Sequence, residues 1–134
     1  MLLLVDSESA FIGPSRWHHV RDQDTWARPP GAEEDSLQFM AQTMEAWLCA
    51  DGDGLLTYFG PGFDAARLPR RPNLEEDPKG DVAKKLDAAS GGSRRGAYHK
   101  GRHLDVLAFV SPERVLARCP QASAFLTALK NRVF

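Results

Sequence analysis

Asp6 and Glu8 close a short apolar run, Met1 to Val5, in the phrase Leu2-Leu3-Leu4-Val5-Asp6-Ser7-Glu8. Side chains alternate along a strand with period two, so acids at positions 6 and 8 face the same way. Carboxylate oxygens that meet at the carboxyl end of a strand suit a divalent cation. In open α/β sheets, ligands bind at that end. The plainer reading is a pair of solvated acids where a strand runs out into water.

Two more acids flank apolar runs. Asp64 follows Leu55–Phe59, and Asp105 opens Leu104–Val110. Both runs read as strands. Asp6, Glu8, Asp64 and Asp105 are therefore the candidate catalytic acids, with Asp6, Glu8 and Asp64 as the metal ligands. Gathered in one place they could hold two cations about 3.5–4 Å apart, one to activate water and one to stabilise a leaving oxygen. Carboxyls spread beyond about 10 Å share no such site. Asp105 stands at the start of its run, the wrong edge of a parallel sheet. Either that strand is antiparallel or Asp105 is structural.

A second constellation is basic. Arg94, Arg95, Tyr98, His99, Lys100, Arg102 and His103 crowd into one acid-free, glycine-flanked stretch. Such a loop can follow a phosphate backbone, with Tyr98 stacked on a base. The formal net charge of the whole chain is −1, so any anion-binding surface has to be local. The alternative is a solvated loop. His18 and His19 are adjacent, point apart, and read as surface or packing histidines. Asp51-Gly52-Asp53-Gly54 lacks the remaining ligands of a calcium loop and reads as a turn that ends a helix. The sequence has no Gly-Lys-Ser phosphate loop and no Gly-x-Ser-x-Gly elbow.

These residues resemble two nuclease groups. Asp6-Ser7-Glu8 is similar to the Asp-x-Glu of the first motif in the DEDD exonucleases, which belong to the ribonuclease-H-like superfamily. Leu55 to Phe59, running on through Gly60-Pro61-Gly62 to Phe63-Asp64, is similar to the second motif, a strand leading into Phe-Asp. Arg102-His103-Leu104-Asp105 resembles a phrase of polymerase-associated members. The resemblance implies Mg²⁺ or Mn²⁺ on Asp6, Glu8 and Asp64, and phosphodiester hydrolysis from a 3′ end. A first strand ending in Asp, with Lys100-Gly101 ahead of Asp105-Val106, is also similar to PIN and NYN nuclease domains. Residues 114–134 contain no acid, so the last carboxylate of the DEDD pattern has no counterpart. A second reading therefore stays open: a non-enzymatic module for nucleic acid or protein, or a subunit of a larger assembly, including a homo-oligomer.

The elements that must position these groups follow from the spacing. Met1–Val5 reads as a strand, continuing towards Phe11 and Ile12 until Gly13-Pro14 breaks it. Residues 14 to 35 fit a pair of short strands or an ordered loop. Leu37, Met40, Ala41, Met44, Trp47 and Leu48 recur at helical spacing, and the methionines and Trp47 read as core. Asp81–Ala89 has a helical pattern, Ser111-Pro112-Glu113 starts a helix, and Pro120 starts another with Phe125, Leu126, Leu129 and Val133 on one side. Alternating strands and helices in 134 residues indicate one small α/β domain, 1–134. Its sheet is expected to be mainly parallel and flanked by helices, ribonuclease-H-like or PIN-like. An irregular proline- and glycine-rich segment lies around 60–103. No apolar run nears the roughly 18 residues of a membrane span. Cys49 and Cys119 read as unpaired thiols, so we expect a cytoplasmic protein without membrane contact.

Overall fold

The computed structural model describes residues 1–11, 13 and 15–133. The expectations placed on Ile12, Pro14 and the Val133 side chain lie outside the described residues. The chain begins with strand β1, Leu3–Asp6, then helix α1, Arg16–Asp24, then strand β2, Leu37–Met40. The strands pair in parallel, with Leu3 opposite Leu37 and Asp6 opposite Met40. This is one β-α-β unit, and it is the whole sheet among the described residues. Six α-helices follow among the described residues: α2 Met44–Cys49, α3 Gly52–Phe59, α4 Lys79–Ser90, α5 His103–Leu107, α6 Pro112–Arg118 and α7 Pro120–Val133.

Several expectations need correction. β1 stops at Asp6 and does not reach Phe11. Residues 16–24 form α1, neither a loop nor strands. The Ser15 hydroxyl accepts the His18 N–H at its start, and Thr25 ends it in a left-handed conformation. The expected helix over Leu37–Leu48 is a strand followed by a shorter helix. β2 is four residues and buried on both faces, so it shows no alternation of its own.

The expected strand at Leu55–Phe59 lies within α3, and the one at Leu104–Val110 is the body of α5 followed by a turn. In α3, Leu55, Tyr58 and Phe59 are buried while Leu56 is exposed, the spacing of one helix face. The Asp51 carboxylate caps α3 by accepting the Gly54 N–H at 3.0 Å, and its other oxygen accepts the Ser111 N–H at 2.9 Å. The Asp-Gly-Asp-Gly phrase is therefore a helix start. α4, α6 and α7 form where the sequence places helices.

Two clusters hold the molecule together. Trp17 and Val20 of α1 pack on Leu37 and Phe39 of β2, with Leu3 and Val5 beside them. The larger core gathers Leu48, Leu55, Phe59, Leu74, Val82, Leu86 and Val106 from the helical half. Each buried Leu or Phe there contributes about 1.5–3 kcal/mol by leaving water. Cys49 and Cys119 are buried free thiols, and burial pushes both up to about 12. Among the described residues, no helix is long and apolar enough to cross a membrane.

Candidate functional site

Strand pairing continues past the ends of β1 and β2. The Ser7 N–H donates to the Met40 carbonyl at 3.2 Å, and the Glu8 N–H to the Gln42 carbonyl at 2.7 Å. These bonds hold Asp6 and Glu8 against the segment that enters α2. Asp6 Oδ1 accepts the N–H of Met44, the first residue of α2, at 2.9 Å. Thr43 precedes that helix without a side-chain cap, so Asp6 supplies the missing acceptor from another element. Glu8 turns the chain with φ +68°, a conformation that side-chain-bearing residues rarely adopt. Its Oε2 lies 2.5 Å from Nζ of Lys79, the first residue of α4.

Asp6, Glu8 and Lys79 line one cavity of about 540 Å³, with Gln23, Asp24, Trp26, Met40 and Met44 on its walls. It opens at the carboxyl edge of the parallel strands, where such folds bind ligands. Glu45, one residue into α2, is 7% exposed and accepts the Tyr98 hydroxyl at 2.7 Å. The Tyr98 N–H donates to the Ser90 hydroxyl at 2.8 Å. Burial and the bond to Glu45 both raise the phenol far above its ordinary range, so it stays protonated.

The electrostatics of Asp6 are mixed. Burial raises its pKa most, the Met44 N–H lowers it, Glu45 and Glu8 raise it, and Lys100 lowers it. The net direction is upward. This carboxylate holds its proton more tightly than a free one and gains from a cation placed beside it.

Asp64 and Asp105 take no part in this arrangement. Asp64 caps a single turn at Ala65–Arg67, accepting the Ala66 N–H at 3.1 Å and pairing with Arg67 Nε at 3.1 Å. Its own N–H donates to the carbonyl of Ala89, near the end of α4. Glu8 contacts Lys79 at the start of that helix, so about 15 Å of helix axis separates the two places. Asp105 is exposed in the first turn of α5. The expected gathering of Asp64 with Asp6 and Glu8 therefore fails, because the run before Asp64 is a helix and delivers it elsewhere. Among the described residues, no three His, Cys, Asp or Glu side chains form a ready cation cage.

The basic segment divides. Arg95 is exposed, yet it donates to the Tyr58 carbonyl at 2.6 Å and lies 4.6 Å over the Tyr58 ring, so its guanidinium is held against the protein. Tyr98 is tied to Glu45 and packs against the larger core. Arg94, His99 and Lys100 are exposed and Arg102 is half-buried. Lys100 is close enough for its charge to be felt at Asp6.

Sequence reasoning missed Glu45, Lys79 and Trp26. Glu45 is the one acid in the apolar stretch Met44-Glu45-Ala46-Trp47-Leu48, and that oddity was its signal. Lys79 and Trp26 reach the cavity through tertiary packing alone.

The molecule is a mixed α/β domain with acids and a lysine at the carboxyl edge of a parallel strand pair. Residues 1–130 match the model of a family described as a domain of unknown function, DUF4276, and the chain belongs to that family. No curated protein and no solved structure matches the chain.

Proposed function

We propose that the chain is a nucleic-acid-acting domain that hydrolyses phosphodiester bonds with Mg²⁺ or Mn²⁺ held by Asp6 and Glu8. The observation that carries this reading is Asp6 itself. It is a half-buried carboxylate with a raised pKa, at a sheet's carboxyl edge, sharing a cavity with Glu8 and Lys79. Asp64 caps its own turn away from this edge, so Asp6 and Glu8 would hold one ion and not two. The donor set suits one hard cation of the Mg²⁺ type. Such ions are held by one or two carboxylates and complete their shell with water and substrate phosphate.

Bound there, the ion would polarise a phosphate oxygen and acidify a water. Burial and the neighbouring acids make the Asp6 charge costly, and a cation held there would offset that cost. Glu45, held by the Tyr98 hydroxyl, lies close enough to raise the cost of charge on Asp6, which favours a positive ligand there. Lys79 and Lys100 draw the phosphate towards the edge. Hydrolysis consumes one water, breaks one P–O bond, and leaves a phosphate monoester and a hydroxyl. The unit β1–α1–β2 is what a ribonuclease-H-like or PIN-like domain would share with this chain. A cytoplasmic setting belongs to the same reading, and the two buried unpaired thiols support it.

A second reading is a non-enzymatic module for nucleic acid or protein. It is favoured by a specific observation: Asp6 already caps α2, and Glu8 is already paired with Lys79. The deciding experiment is cleavage of labelled single strands with Mg²⁺ or Mn²⁺. The enzyme reading expects cleavage that Asp6→Asn abolishes. Cleavage that survives this substitution removes Asp6 from the mechanism, and no cleavage by the parent with either ion leaves the binding module.

A further inference from the structure

We infer that Trp26 is a stacking platform for an unpaired nucleobase, the point where a single strand is gripped beside the carboxylates. The inference rests on the reading above, that the cavity at Asp6 acts on nucleic acid, and it names the form of substrate.

Three observations carry it. First, Trp26 is 46% exposed, whereas Trp17 nine residues earlier is 5% exposed in the core. A large indole left half in water forgoes much of the burial that usually holds it in place. Second, Trp26 walls two neighbouring cavities. One, of about 540 Å³, holds Asp6, Glu8 and Lys79. The other, of about 340 Å³, holds Arg21 and Arg28. The indole therefore stands between an acid-lined hollow and an arginine-lined one. Third, each arginine is steadied by a bond inside the protein. Arg28 Nε donates to the Ala32 carbonyl at 2.7 Å, and Arg21 lies 2.9 Å from His18 Nδ1.

A strand crossing this surface would meet guanidinium groups, then an aromatic face, then a carboxylate edge with Lys79. Arginine suits phosphate, and an aromatic face accepts any base. A base paired within a duplex has no face to offer, so the arrangement selects single strands. It commits to no sequence.

The test uses the whole chain in EDTA, where no cleavage interferes. A fluorescently labelled eight-nucleotide single strand, as DNA and as RNA, is titrated by anisotropy, with an abasic strand and a duplex alongside. The parent binds one or both single strands and binds the abasic strand and the duplex more weakly. Trp26→Ala lowers single-strand affinity about tenfold, and Trp26→Phe retains most of it. The exposed position predicts an unchanged Tm for both variants. Arg28→Ala weakens binding and flattens its salt dependence. Equal affinity of parent and Trp26→Ala overturns the platform, as does equal affinity for abasic and normal strands. Cleavage by Trp26→Ala at the parent's rate and KM sinks this inference and leaves the catalytic reading standing. Trp26-dependent binding without cleavage does the reverse.

Discussion

The carboxylate of Asp6, at the last position of β1, accepts the amide hydrogen of Met44 at the first position of α2. One side chain thus caps a helix and faces a cavity with two other acids nearby. The cap lowers the cost of its charge, while burial and the Glu45 and Glu8 charges raise it, and the balance lies on the unfavourable side.

That balance predicts a conflict between stability and function. The pKa of Asp6 is higher folded than unfolded, so its proton is held more tightly by the native state. The stabilisation this provides is complete below the unfolded value and is lost as pH rises through the folded one. Asp6→Asn keeps an acceptor for Met44 and carries no charge. The variant should therefore gain Tm relative to the parent as pH rises from about 4 towards neutrality, and then hold a constant lead. Parallel melting curves across pH check this. A lead that shrinks with rising pH contradicts the raised pKa.

Glu45 and Tyr98 form the support behind Asp6. Tyr98→Phe leaves a buried carboxylate without its donor and should cost about 1–3 kcal/mol in urea unfolding. The same change made in a Glu45→Gln background should cost clearly less, because an amide tolerates the loss better than a charge. A double-mutant cycle reads the difference. Equal costs in both backgrounds would show that the bond does not carry the stability.

The turn into α3 leaves no room for a side chain at Gly54. A Cβ there would sit 2.1 Å from the Phe109 carbonyl oxygen and 2.8 Å from Asp51 Oδ2. Gly54→Ala should lose about 1–3 kcal/mol by forcing the backbone apart and disturbing the Asp51 bonds to Gly54 and Ser111. Gly80, in the first turn of α4, has nothing within 4 Å. Gly80→Ala should be neutral or slightly stabilising. Chemical denaturation of the two variants side by side tests the contrast.

Lys79 and Glu8 form an exposed ion pair, so the pair contributes little to stability. Lys79→Ala should leave Tm nearly unchanged and still weaken binding of a single-stranded oligonucleotide. The slope of log affinity against log salt should fall by about one, the signature of one lost phosphate contact. An unchanged slope would place Lys79 outside the binding surface.

What could be read from the residues was uneven, for physical reasons. β1 and Asp6 at its end were legible because an apolar run ending in charge describes a strand leaving a core, whereas Glu8 lies past the strand in a turn with φ +68° that strand alternation does not describe. α4, α6 and α7 were legible from apolar spacing and the prolines at residues 112 and 120. β2 was not, since Leu37-Gln38-Phe39-Met40 is buried all round and joins α2 in a pattern that mimics a single helix. Leu55–Phe59 is rich in residues that suit strands, yet the Asp51 cap and the burial of Leu55, Tyr58 and Phe59 on one face decide for a helix. That error misplaced Asp64. Glu45, Lys79 and Trp26 reach the cavity from separate elements, and local pattern carries no record of such convergence.

The most direct measurement is thermal melting of the parent and of Asp6→Asn during titration with Mn²⁺ at neutral pH. A cation that binds only the folded chain raises Tm in a saturable way. Such a rise is expected in the parent and none in Asp6→Asn. A parent whose Tm ignores Mn²⁺, or a variant that responds as the parent does, contradicts a metal site at Asp6.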